Sequence, residues 1–93
     1  MIQRTIWKFP LKIVDDYFLV VPKGANVLSV GWDPKLRTPA LWAEVDPGQE
    51  HLPLHVWVVA TGRDLPESRG RFVGTSIDLE LGLVYHIYVG DPG

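Results

Sequence analysis

The chain contains no cysteine, and its single methionine is residue 1. Neither a disulfide framework nor a thiolate metal site can be built from it. It also lacks any long apolar run, which leaves no segment to serve as a signal peptide or a membrane-spanning helix, so the cytosol is the expected compartment and a membrane is not an expected partner. An excess of either charge is missing too, since 9 Lys and Arg face 11 Asp and Glu for a formal net charge of -2. Such a balance offers no global field to hold a polyanion, which excludes nonspecific binding of duplex nucleic acid but leaves a local basic pocket open. No helical amphipathic window of useful length can be found either.

What the chain does have is apolar and aromatic weight, with 46% hydrophobic residues, 4 Trp, 3 Tyr and 3 Phe in 93 positions. Gly and Pro are spread as punctuation, so the expectation is one folded domain over residues 1–93, a second core being too small to stand alone. Residues 3–9 alternate as a strand, with Thr5, Trp7 and Phe9 on one face and Ile2, Arg4, Ile6 and Lys8 on the other. Residues 11–14 extend it, Asp15 and Asp16 turn, and residues 17–21 form a strand with no polar face. The middle of the chain reads as a hairpin, residues 26–32 and 39–46, between a Pro-Lys-Gly turn at Pro22 and a Pro47-Gly48 stop. In simple alternation Leu28, Val30 and Trp32 point one way, and Trp42 stands on the polar face of the return strand. Residues 54–60 form another strand apolar on both faces, and residues 71–80 and 83–89 close the chain as a hairpin about Leu81-Gly82. Six or seven antiparallel strands imply an all-β sandwich or partly closed barrel. The surplus of apolar faces implies a homo-oligomer, most simply a two-fold dimer.

The chemistry-bearing residues point away from catalysis. His51, His55 and His86 lie on separate segments without metal-ligand spacing, the serines have no nucleophile-elbow context, and the paired carboxylates Asp15-Asp16 and Asp64 with Glu67 read as turn formers and solvated charges. Pro22-Lys23-Gly24 has neither the glycine spacing nor the following helix of a phosphate-binding loop. No metal and no cofactor is therefore expected. Two features remain. Residues 61–70 are the longest polar segment, barred from helix by Gly and Pro, and Thr61, Gly62 and Arg63 at its start with Arg69, Gly70 and Arg71 at its end offer guanidinium forks and open amides to phosphate oxygens. The bland alternative is that these arginines pair with Asp64 and Glu67. Aromatics beside cations form the second feature, Trp7 next to Lys8 and Trp42 on a polar face, where an indole could cover a purine while a cation holds phosphate. Its alternative is that these tryptophans are core or dimer contacts.

Residues 5–11 (TIWKFPL), 22–25 (PKGA) with 28–30 (LSV), 41–43 (LWA) with 45–46 (VD), 61–62 (TG) and 74–75 (GT) occur in the order seen in a family of short, largely uncharacterised phage-encoded proteins. The chain resembles that family over nearly its whole length, through the TIWK, PKGA and LWA-VDP motifs. It departs from the family pattern at the loop, which reads Ala60-Thr61-Gly62 without the first glycine. The resemblance implies a phage origin, hence the cytosol of a host cell, and small phage proteins of this kind include those that sequester nucleotide immune signals such as cyclic dinucleotides or cyclic ADP-ribose isomers. On that reading Trp7 or Trp42 stacks on a base, Lys8, Arg63, Arg69 and Arg71 hold phosphates, and Thr61, Thr75 and His86 bond ribose or base edges in a pocket between subunits. The rival expectation is a protein-interaction module that binds a host or virion protein, and an enzyme acting on the same nucleotides comes third.

Overall fold

The computed structural model of the protein describes residues 3–90. It contains seven strands: β1 (Thr5–Pro10), β2 (Asp16–Pro22), β3 (Asn26–Asp33), β4 (Thr38–Val45), β5 (His51–Ala60), β6 (Arg71–Asp78) and β7 (Leu83–Val89). They form two antiparallel sheets, ordered β1-β4-β3 and β2-β5-β7-β6. The arrangement is a sandwich and not a closed barrel. Among the described residues no helix is long and apolar enough to cross a membrane.

Alternation along the strands builds the core. Leu41, Ala43 and Val45 of β4 face Leu54, Val56 and Val58 of β5 and Ile87 and Val89 of β7, with Leu11 and Val21 completing a buried cluster. The sheets close most tightly where β3 meets β6. There the Ser76 hydroxyl donates to the Gly31 carbonyl at 2.7 Å, and a Cβ on Gly74 would lie only 2.8 Å from Val30 Cγ2. Glycine is required at that position by the approach of the other sheet.

Several expectations need correction. A bulge between Val27 and Ser29 interrupts β3, so Val27 and Val30 both pack on the core while Leu28 is exposed. The extra residue shifts the alternation by one, which simple periodicity does not show. Residues 11–14 are not a strand; the Leu11 amide donates to the Pro39 carbonyl at 2.8 Å and Leu11 enters the core instead. Asp16 opens β2 and is not a turn residue. β5 starts three residues early, at His51, and accommodates Pro53 because β7 ends opposite Val56 and requires no amide there. The expected face of Ile2 lies outside the described residues.

Candidate functional site

The polar segment 61–70 owes its course to the strand order. β5 and β6 both run antiparallel to β7 and lie on either side of it, so they are parallel to each other. β5 ends where Ala60 pairs with Tyr85, and β6 begins where Arg71 pairs with Val89. The connection must therefore travel back along four residues of β7, about 13 Å at strand spacing. Gly62, at φ +94°, and Pro66 keep it from coiling into a helix, so it crosses as an irregular strap with two turns, the Arg63 amide donating to the Ala60 carbonyl and the Arg69 amide to the Pro66 carbonyl.

Two contacts place the strap on the outward face. The Thr61 hydroxyl lies 2.8 Å from His86 Nε2, and the Arg69 guanidinium stands 5.5 Å from the Tyr88 ring centroid while donating to the Pro66 carbonyl at 3.1 Å. His86 and Tyr88 are the outward residues of β7. Thr75 of β6 completes the group, its hydroxyl 3.1 Å from His86 Nδ1, so both imidazole nitrogens are held by threonines from different segments. Residues 56–59 of β5 are apolar and buried on both faces of the sheet. Val59 and Trp57 point outward yet are buried, Trp57 to 4% exposure, because their side of the sheet is covered by the same chain. That face of β5 is closed within the chain, and no second subunit is required to bury it.

A row of aromatics runs beside the strap. Phe18 packs on His55 at 4.5 Å, His55 stacks on Trp57 at 3.7 Å, and Phe72 meets the edge of Tyr88 at 5.4 Å. Asp16 fixes His55 through a 2.7 Å contact to Nε2. Gly90 lies 3.6 Å from the far rim of the Trp57 indole, measured from where its Cβ would be, which leaves the ring room to lie flat. Of this row only single residues stood out in the sequence, because its members become neighbours through cross-strand register.

Between the strap and the β1–β2 connection lies a half-open cleft of 640 Å³, floored by Val58, Val59, Ala60 and Tyr85. Its rim carries Arg63 against Asp15, Asp16 and Asp64. The excess of carboxylates makes it a poor seat for an anion.

Of the residues singled out from sequence, Thr61, Arg69, Thr75 and His86 gather on the outward face, Arg63 stands on the rim of the cleft, and Arg71 ends the strap on the core-side face of β6, opposite Val89. The bland pairing of its arginines is absent. Among the described residues Arg63, Arg69 and Arg71 form no ion pair, whereas Arg4 pairs with Glu44 at 3.6 Å and Arg37 with Glu80 at 3.4 Å. Trp7, Lys8 and Trp42 lie apart, in the other sheet. Lys8 is opposite Trp42 in register, and its ammonium sits 2.7 Å from the buried Asp33 carboxylate. That contact, with the Leu36 and Lys35 amides, holds Asp33 below the usual carboxylate range against the opposing effect of burial. Trp42 lies over Gly31, 3.4 Å from its would-be Cβ, and Trp7 is on the core side of β1 beside Phe9. One copy of the chain does not bring these indoles to the strap arginines.

Fold and site together define a small β-sandwich whose four-stranded sheet is crossed by an arginine-bearing strap. The chain belongs to the family described as Domain of unknown function (DUF7352), which it matches over residues 2–93. No curated protein and no solved structure matches it.

Proposed function

We propose that this is a non-catalytic, phage-type protein that captures a small nucleotide signal of the cyclic dinucleotide or cyclic ADP-ribose class, in the host cytosol, at the strap face of the four-stranded sheet. One observation carries the reading: among the described residues three guanidinium groups, Arg63, Arg69 and Arg71, stand on the strap or at its end without a carboxylate partner, whereas Arg4 and Arg37 are paired. The Arg69 guanidinium over Tyr88, with Phe72 against the same ring, suits a ligand that combines phosphate with a planar base. Thr61, Thr75 and His86 supply hydroxyl and imidazole groups for ribose or base edges. Trp42, Trp7 and Lys8 would reach such a ligand only from a second copy.

Calorimetry against cyclic dinucleotides and ADP-ribose isomers tests this. One member of the panel is expected to bind, with Arg69→Ala and Arg71→Ala each weakening it about tenfold or more, the loss of one charge-assisted contact. Absence of heat across the panel would overturn the reading. A protein-interaction role is the second reading, favoured by the β6–β7 turn, where Leu79, Leu81 and Leu83 are exposed together. In that case Leu79→Ser with Leu81→Ser releases a bound host or virion protein, and the strap substitutions do not.

A further inference from the structure

We propose that the open edge of β2 is a self-pairing surface, on which two copies of the chain join β2 to β2, antiparallel about a two-fold axis at Leu19, into one continuous eight-stranded sheet. Sheet edges attract foreign strands unless something blunts them. β1 carries Lys8 and ends at Pro10. β3 and β6 each contain a bulge and lie against one another. β2 is blunted only at its two ends, by Asp16 and Pro22: its register with β5 is unbroken between them, and Tyr17, Phe18, Leu19, Val20 and Val21 carry no charge.

The backbone polarity of that edge can be assigned. The Lys23 amide donates to the Glu50 carbonyl at 2.7 Å, and the Asp15 carbonyl accepts from the Val58 amide at 3.1 Å. Odd-numbered residues of β2 therefore direct their amides and carbonyls to β5. By alternation Asp16, Phe18 and Val20 direct theirs to the open side, where no strand lies alongside among the described residues. The side chains there are unusually bare, Phe18 being 63% exposed and Val20 57%.

One register answers all of these features. With the axis at Leu19, Phe18 of each copy meets Val20 of the other as a hydrogen-bonded pair, so both exposed apolar side chains cover each other and the open amides and carbonyls are satisfied reciprocally. The ladder ends where Asp16 meets Pro22, which has no amide and whose carbonyl already accepts from Ala25 at 3.1 Å. Next beyond, Asp15 faces Lys23 of the second copy, a pair of opposite charge. A slip of two residues either way loses this, setting Asp16 opposite Val20 or Phe18 opposite Pro22. The occupant that fits the edge is thus a second copy of this chain, matched in backbone polarity, side-chain size and charge. The axis stands normal to the sheet, so both straps share one outward face, and Lys23 of each copy joins the acidic rim of the other's cleft. The pairing does not depend on the nucleotide reading.

Sedimentation and light scattering test it. The chain is expected at twice its 10.5 kDa mass, with a melting temperature that rises with concentration. Val20→Pro removes an amide that β5 does not use, and Val20→Lys adds a charge to the edge; each is expected to give the single-chain mass with far-UV circular dichroism unchanged. Leu28→Lys, exposed on the other sheet, leaves the dimer intact. Leu19→Cys places the chain's only thiol on the axis, in a non-hydrogen-bonded pair about 4.5 Å apart between Cα atoms, and closes an intermolecular disulfide under mild oxidation. A monomer at all concentrations, or a dimer that survives both Val20 variants, would overturn the proposal.

Discussion

Two outward tryptophans of this protein lie over glycines, and they show how single residues set the surface. Trp42 covers Gly31 on the neighbouring strand and Trp57 covers Gly90 just past the end of β7, so an indole plane replaces the side chain the glycine lacks. Trp57 is buried and stacked on His55, whereas Trp42 is half-buried. Trp57→Ala should therefore cost about 3–5 kcal/mol in denaturant titration, and Trp42→Ala clearly less. Asp33 gives a pH-dependent test. The Lys8 ammonium first, then the turn amides, depress its pKa on folding, so its contribution is fully present above the ordinary value of 3.8 and is lost as pH falls through the lower folded value. Asp33→Asn should be the less stable protein at neutral pH, and its deficit should shrink in acid titration below pH 3.8. The sequence marks Trp42 as outward by alternation alone. That Lys8 is committed to Asp33, 25 positions away, depends on β1 and β3 flanking the same strand.

The strap is the element on which the functional reading turns. Gly70 at its end lies so close to the Val89 carbonyl that a Cβ there would overlap backbone, and Gly74 sits under Val30 of the other sheet. Gly70→Ala should destabilise by about 2 kcal/mol or more, since the start of β6 must shift, and Gly74→Ala by about 1–3 kcal/mol through crowding. Paired melting curves of the two variants would check this. His86→Ala removes the imidazole that ties Thr61 to Thr75, two bonds of about 1 kcal/mol each at most. Its expected signature is faster hydrogen exchange across residues 61–70 while the core amides stay protected. Composition already exposes 61–70 as an irregular polar connection. Its path over β7 cannot be read locally, because it follows from β7, later in the chain, inserting between β5 and β6.

For the molecule as a whole, every strand pair but the β3–β4 and β6–β7 hairpins joins strands distant in sequence, β1 with β4, β2 with β5 and β5 with β7. Such pairing must close long loops before it gains contacts, so stopped-flow tryptophan fluorescence should report folding in milliseconds to seconds, not microseconds. The apolar surplus of the chain divides in two at this scale. Trp57 and Val59 on the outward face of β5 are buried within the chain itself, and the outward Phe18 and Val20 of β2 are left exposed.

Period-two alternation, turn residues and the lack of any helical window were enough to establish an all-β domain of six or seven strands with approximate limits, because those properties depend on neighbours within a few positions; that the seven strands form a sandwich and not a barrel was decided by the structure. The clustering of Thr61, Arg69, Thr75 and His86, the separation of Trp42 and Lys8 from them, the bulge at Leu28 and the open edge at β2 were decided only by tertiary structure. Each of these depends on which strand lies beside which, and strand order is a property of the packed core, which no local stretch of the chain encodes.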